Sequence, residues 1–377
     1  MGRTGVGIVG AGDISAAYLR LAPLFAGLEM RAIADLNPDA SARRADAFEI
    51  RQASVEELLA AGDIDVVVNL TIPAAHKEVT AAILEAGKHA YTEKPLALSS
   101  DDAVALAEKA RQAGLRLGSA PDTFLGGAHQ TARALLDGGA IGTVISGTTH
   151  IMGRGMEGWH PNPDFFFQPG AGPILDMGPY YVANLVQLLG PVGRVTAASR
   201  MAFAERIIGS EARRGERISV NTPTTFHALL EFQGGALITL GASWDVTAHR
   251  HGHMELYGTA GTLFLPDPNF FGGDVEVALP NGHAQKVSGS GHPFGAPNEE
   301  RPGQPARANY RGAGLADMVA GLHEDRPHRC NGAFAAHCVE VMTAVLRAAH
   351  TGDAVTLRTT CERPAPLPAA DAQALLA

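Results

Sequence analysis

Four groups of residues in this 377-residue chain have the types and spacing that chemistry requires. The first is Gly10-Ala-Gly12-Asp13-Ile14-Ser15, placed where an apolar run ends and a helical pattern begins. Gly10 permits a tight turn, Gly12 lets backbone N–H groups approach a pyrophosphate, and the helix N-terminus faces the negative charge. Ser15 stands where a third glycine is usual, and a small residue still allows close helix–strand packing. A literal Gly-x-Gly-x-x-Gly also occurs at Gly5, Gly7 and Gly10, but it lies inside the first strand run and is set aside on context. Asp35, followed by Leu36, ends the second run 23 residues after Gly12. That is close to the roughly 20-residue offset at which a carboxylate accepts hydrogen bonds from the ribose of a dinucleotide. A carboxylate there repels a 2′-phosphate, so NAD is expected over NADP, with Arg43 and Arg44 the cations that argue the other way.

The second group, Glu93-Lys94-Pro95, follows a strand run at the carboxyl edge where open α/β sheets bind ligands. A lysine there can hydrogen-bond a developing alkoxide and relay its proton. The third is Gly170-Ala-Gly172-Pro-Ile-Leu-Asp176-Met-Gly178-Pro179-Tyr180. If Gly178 and Pro179 leave the helix unbroken, Asp176 and Tyr180 share one face. The fourth, Trp159-His160-Pro-Asn162, suits sugar recognition: Trp159 to stack on a ring, His160 and Asn162 to bond hydroxyls. Asp122 leaves the last run of the first half and either faces a ligand or caps a helix. His249, His251 and His253 alternate along one expected strand, yet no carboxylate or cysteine stands beside them in ligand spacing, so no metal is expected.

Positioning these groups requires a parallel sheet first. Short apolar runs at 6–9, 30–34, 66–70, 89–92 and 115–118 alternate with helical patterns at 13–26, 38–48, 54–61, 73–86 and 99–113. After about residue 122 the pattern turns to strands at 143–150, 192–200, 224–232, 236–244, 253–258, 261–265 and 274–279, with helices near 312–325 and 332–351. The glycine-rich joints at 233–235 and 258–261 read as hairpins. Residues 280–310 form the one long Gly/Pro/polar stretch, expected to be a lid or a mobile loop.

Together Gly10-Ala-Gly12, Ile72-Pro-Ala-Ala-His76, Tyr91-Thr-Glu93-Lys94-Pro95 and Gly170-Ala-Gly172…Asp176-Met-Gly178 resemble the glucose–fructose oxidoreductase/inositol dehydrogenase/rhizopine catabolism (Gfo/Idh/MocA) family over most of the chain. The resemblance implies an α/β protein. An N-terminal Rossmann dinucleotide-binding domain (1–122) is joined to a C-terminal α+β domain (123–377) with a large, mostly antiparallel open sheet. It implies hydride transfer between NAD(P) and a ring hydroxyl or ketone of a sugar, cyclitol or related polyol. It further places Lys94 near the nicotinamide with Pro95 behind it, and the segment Thr71, Ile72, Pro73 and His76 beneath the nicotinamide and ribose. Many members carry a histidine four residues after the aspartate; here Tyr180 stands instead. A neighbouring ammonium favours a phenolate, so Tyr180 is expected as general acid/base with Lys94 its electrostatic partner and Asp176 orienting substrate, and His160 is the competitor for the base role. Rival readings are an NAD-dependent glycosidase on the same scaffold and a non-catalytic NAD-binding sensor.

Composition sets the outer bounds. The 30 Lys and Arg against 39 Asp and Glu give −9, which offers no general attraction to nucleic acid or anionic membranes. At 46% hydrophobic and 18% charged residues the chain is not of disordered type. Cys330, Cys338 and Cys361 lack metal or disulfide spacing, and no apolar run in the sequence reaches the roughly 20 residues that span a bilayer. A cytoplasmic enzyme is expected, and an open sheet needing cover suggests a homo-oligomer, dimer or tetramer.

Overall fold

A computed structural model describes residues 2–280 and 282–377. The first half runs β1 (Thr4–Val9), α1 (Asp13–Leu21), β2 (Leu28–Ala34), α2 (Pro38–Phe48), β3 (Arg51–Gln52), α3 (Val55–Ala60), β4 (Val66–Asn69), α4 (His76–Glu85), β5 (His89–Thr92), α5 (Ser100–Gln112) and β6 (Leu117–Ser119). The strands form one parallel sheet in the order β3-β2-β1-β4-β5-β6. β1 and β4 are buried along their whole length, as strands covered on both faces must be. Local chemistry marks the helix starts. Asn37 caps α2, Ser99 caps α5, and Ser54 with Glu57 closes a reciprocal box at α3 (3.1 and 2.8 Å), a device worth about 1 kcal/mol.

The second half runs α6 (Gly127–Asp137), β7 (Val144–Met152), α7 (Gly172–Asp176), α8 (Gly178–Leu189), β8 (Val192–Arg200), β9 (Glu205–Ile207), β10 (Arg217–Ser219), β11 (Thr225–Phe232), β12 (Leu237–Ser243), β13 (Met254–Gly258), β14 (Thr262–Leu265), β15 (Asp274–Ala278) and β16 (Ala284–Ser288). It closes with β17 (Glu299–Arg301), β18 (Gln304–Arg307), α9 (Ala313–His323), α10 (Gly332–Thr351), β19 (Val355–Thr356) and α11 (Ala369–Leu375). Nine strands build a second sheet, ordered β16-β15-β14-β13-β7-β12-β11-β8-β19, in which β7 and β12 pair parallel and the other neighbours antiparallel. Both glycine joints make the expected hairpins, β11–β12 and β13–β14.

Three expectations are corrected here. Residues 280–310 do not form a featureless lid: Asn281 lies outside the described residues, but β16 and the β17–β18 hairpin form, and Phe294 is fully buried. Gly289 and Gly295 press so closely on α6 that a Cβ on Gly127 would meet Gly289 O at 2.4 Å. The middle of the segment, around Gly289 to Gly295, is thus packed at the start of α6, while β16, β17 and β18 are largely exposed. His249 and His251 precede β13 and lie off any strand; His251 stacks on His150 at 3.9 Å, and no metal-holding group exists among the described residues. Finally, α10 is long and apolar enough to cross a membrane, with mean hydropathy 1.2, contrary to the reading of the sequence. It is 72% buried against β8, α8 and α5, so it is a core helix of this fold. The chain also returns to its first sheet. Ser119 N donates to Cys330 O, and Ala26 N to Leu375 O, so the last sixty residues belong structurally to both halves.

Candidate functional site

The strand order reverses between β1 and β4, and the glycine turn sits at that switch point. Gly10 adopts φ +109, and a Cβ there would lie 2.6 Å from the Leu70 carbonyl. Gly12 differs: a Cβ there would meet nothing within 4 Å, because Gly12 faces open space ahead of the α1 N-terminus. Ser15 is fully buried and donates to Gly12 O at 2.6 Å, which takes the place of the third glycine's close packing. Asp35 Oδ2 accepts from Ala11 N and Oδ1 from Asn37 N, both at 2.7 Å, so the carboxylate ties the end of β2 to the glycine turn. Asp13 is exposed and Ile14 half-buried on the first turn of α1. Leu36 and Ile72 are 97% and 69% exposed, two apolar side chains flanking the switch point with nothing packed on them. Arg44 folds onto Ser15 Oγ (3.1 Å) and Gly12 O, while Arg43 stays exposed. An uncrowded Gly12 at a helix N-terminus, with a carboxylate beside it, fits a dinucleotide.

His76 is placed otherwise than expected. It is 1% exposed, with Nδ1 2.6 Å from Pro95 O and Nε2 3.0 Å from Thr71 O. Burial lowers its pKa against those two carbonyls. Its ring therefore braces the Thr71 and Pro95 loops from behind and presents no face to a ligand. Thr71 Oγ1 donates to Asn69 Oδ1 at 2.6 Å, and Pro73 begins the short turn that leads into α4.

Lys94 sits two residues beyond Thr92, the end of β5, and its Nζ donates to Asp176 O (2.8 Å) and Asp176 Oδ1 (3.0 Å). The two side chains are 17% and 19% exposed. The Tyr180 ring lies 5.2 Å from Lys94 Nζ. Burial works against the Lys94 charge, but Tyr180, Asp176 and Glu93 together outweigh it and hold the ammonium well above its ordinary pKa. Glu93 is itself held by Tyr18 Oη (3.0 Å) and by Lys94 N (3.0 Å).

Asp176 and Tyr180 do not share one helix. α7 ends at Asp176, Met177 is the joint, and α8 begins at Gly178. Pro179 has no N–H to give Leu175 O and its ring clashes with that carbonyl, so the helix cannot run through. The break leaves Asp176 O free to accept from Lys94, and the two side chains still converge on that ammonium.

The pattern of residues did not single out Arg311. It lies in the loop before α9, where attraction from Tyr180, Asp122 and Glu93 outweighs burial and raises its pKa. The available signal was an arginine ahead of Gly312-Ala-Gly314 at a helix start. Asp122 is corrected to a helix-start role: it is 2% exposed, and its Oδ2 accepts from Gly312 N (2.8 Å) and Gly314 N (3.1 Å). Burial pushes its carboxyl up to about 6, the two N–H groups and Arg311 offsetting only part. It therefore fixes the backbone that carries Arg311.

His160 lies in an aromatic nest, its ring centroid 5.4, 5.8 and 5.1 Å from those of Trp159, Phe165 and Phe166, with Nδ1 accepting from Asn162 N at 3.1 Å. Trp159 is 66% exposed, and Asn162 is exposed. This loop rests on a small separate cluster built from Phe166, Phe167, Ile208, Ile218, Val220 and Trp244. No hydrogen bond links His160 to Lys94, Asp176 or Tyr180 among the described residues.

A switch-point glycine turn joined to a lysine–aspartate pair carried by two domains is the build of a nucleotide-dependent oxidoreductase. The chain belongs to the GFO/IDH/MocA oxidoreductases: the family model described as "Oxidoreductase family, NAD-binding Rossmann fold" matches residues 4–120, and "GFO/IDH/MocA C-terminal domain" matches 129–264. The chain is 30% identical over 178 residues to an uncharacterized oxidoreductase of Schizosaccharomyces pombe, spanning 46% of this chain and 46% of that protein's length. It is 26% identical over 328 residues to levoglucosan dehydrogenase of Pseudarthrobacter phenanthrenivorans, covering 77% of this chain and 81% of that one. A solved levoglucosan dehydrogenase, in complex with NADH and L-sorbose, shares the fold with TM-score 0.80 at 21% identity, over 95% of this chain and 100% of that chain.

Proposed function

We propose that this chain oxidises or reduces a ring hydroxyl or ketone of a sugar, cyclitol or related polyol, with NAD as cofactor and Tyr180 as the group that moves the proton. The observation that carries the reading is the convergence of Lys94, Asp176 and Tyr180 from two domains at the carboxyl edge of the sheet that also carries the glycine turn. NAD, when bound, accepts the hydride of the carbinol carbon. Gly12 and the α1 N-terminus take its pyrophosphate, with Asp13 and Ile14 on the same turn, and Asp35 takes the ribose with Leu36 beside it. Thr71, Ile72, Pro73, Glu93 and Lys94 would hold its nicotinamide half. Lys94 hydrogen-bonds the substrate oxygen, and Asp176 orients both the ammonium and the substrate. Trp159, His160 and Asn162 offer a ring-stacking and hydroxyl-binding wall. A cytoplasmic homo-oligomer with no nucleic-acid or membrane partner completes the proposal.

The test is a panel of hexoses, anhydrosugars and cyclitols with NAD, read as NADH appearance. Tyr180→Phe is expected to lower the rate by about 10²–10⁴, and His160→Ala far less. Turnover without NADH overturns the assignment in favour of a glycosidase, and NAD binding without turnover favours a sensor.

A further inference from the structure

The loop of Trp159, His160 and Asn162 is fastened from outside the nine-stranded sheet, by the separate two-stranded pair β9 and β10. We propose that Arg206, on β9, is a positioning residue for substrate specificity: through Glu157 it sets the place of Trp159, His160 and Asn162, and so decides which ring the site accepts. The inference rests on the reading of that loop as the sugar-binding wall.

Two carboxylates are arranged around one guanidinium. Arg206 Nη1 donates to Glu157 Oε1 at 2.8 Å, and Nη2 donates to Asp245 Oδ1 and to Trp244 O (3.3 Å). The side chains of Arg206, Glu157 and Asp245 are 10%, 13% and 11% exposed, so the cluster lies inside the protein. The guanidinium also sits 5.5 and 5.2 Å from the ring centroids of Phe167 and Phe203. Asp245 is fixed from its other side, its Oδ2 accepting from the hydroxyls of Thr224 (2.7 Å) and Thr225 (2.6 Å). Arg206 is thus tied through Asp245 to the start of β11, and through Glu157 to the loop.

Glu157 lies in the turn directly before Trp159, and Trp159 N and His160 N both donate to Met156 O (3.2 and 2.9 Å). Where Glu157 goes, those two residues follow. Packing leaves the turn little room: a Cβ on Gly155 would lie 2.2 Å from Glu157 Oε2, and Gly209 N donates to Glu157 O at 2.8 Å. The same loop runs on through Gly170 into α7, whose last residue is the Asp176 that binds Lys94. α7 is itself buried at Pro173, Ile174 and Leu175, so a shift of the loop leaves Asp176 in place.

A second arginine, Arg213, holds Asp164 further along the loop, but that pair is 28% and 47% exposed. A pair open to water contributes little, whereas removing one member of a buried cluster leaves the others as uncompensated charges. Without Arg206, the Glu157 and Asp245 carboxylates repel each other, and the loop leaves its seat.

The test compares Arg206→Met, Arg206→Lys and Arg213→Met as whole proteins. Hydrogen exchange followed by mass spectrometry reports amide protection over residues 156–168 without any substrate, with α1 to α5 as the internal reference. Arg206→Met is expected to speed exchange in that segment about tenfold or more, Arg206→Lys by less, and Arg213→Met by under about threefold, with NAD affinity unchanged in all three. With a substrate from the panel, Arg206→Met is expected to raise KM about tenfold with kcat within about threefold, the mark of lost uniform binding, and to change the ratio of KM between two ring compounds. A purely structural role lowers Tm and the active fraction, and leaves KM and that ratio alone. Unchanged exchange over the loop, an equal effect of Arg213→Met, or an unchanged KM overturns the role of Arg206. If Arg206→Met does not fold, Glu157→Gln, which keeps an acceptor and removes the ion pair, takes its place, and the same absence of a shift overturns the inference. Failure of every ring compound on the panel defeats the reading of the site and leaves the exchange comparison standing, so the two fail separately.

Discussion

Asp122 makes the stability of this protein depend on pH in a direction opposite to most carboxylates. Its carboxyl is raised from 3.8 to about 6 by burial at 2% exposure. Between those two values the folded chain binds a proton that the unfolded chain has released, so stability is full below pH 4 or so and is lost as pH rises through about 6. Each unit is worth about 1.4 kcal/mol, and roughly two units make about 3 kcal/mol. The perturbation is Asp122→Asn, which keeps an oxygen for the Gly312 and Gly314 N–H groups and removes the titration. Urea unfolding of both proteins at several values between about pH 4 and pH 7 gives the difference in stability at each. Wild type is expected to lose about 3 kcal/mol relative to the variant across that range. The difference isolates Asp122, because the surface carboxylates held low by arginines, such as Glu108, titrate alike in both proteins. A flat difference, or one in which wild type gains with rising pH, refutes the assignment of Asp122 as a carboxyl raised by desolvation.

The two glycines of the turn should separate fold from cofactor. Gly10→Ala forces a Cβ into φ +109 and within 2.6 Å of Leu70, so a fall in Tm is expected, whereas Gly12→Val places its bulk in open space and should leave Tm unchanged while abolishing NAD binding by calorimetry. Equal effects on Tm would sink that division. Lys94→Met removes the ammonium that joins Asp176 to Tyr180 and should cost about 10²–10⁴ in turnover, with NAD affinity little changed because Gly12 and Asp35 are untouched. Activity within a few-fold of wild type would show that the proton travels by another route.

Much of this molecule could be read from the chain. Apolar runs alternating with capped helical segments placed β1, β2, β4, β5, β6 and α1 to α5 within a few residues, because helix caps and strand burial are local properties written in adjacent positions. They missed the two-residue β3, whose exposed Arg51 and Gln52 carry no apolar signal. The glycine turn was legible for the same reason: Gly10 and Gly12 differ in what surrounds them, but both lie at one strand–helix joint. The membership of Lys94, Asp176 and Tyr180 in one site was suggested by resemblance, and their contact is a tertiary fact, since 82 positions separate Lys94 from Asp176. What the chain did not disclose depended on distant packing. His76 and Asp122 read as ligand-facing polar residues, yet the fold buries both and spends them on backbone partners, Asp122 on glycines some 190 positions away. His249 and His251 lost their shared face because the strand begins later, at Met254. Arg311 had no motif at all; its loop is held near Asp122 only because the start of α9 docks there, which no neighbouring position announces. Sequence pattern determined which elements form and where the glycine turn lies. Tertiary structure decided which charges meet, because burial and long-range contact set the electrostatics and neither is a property of neighbours along the chain.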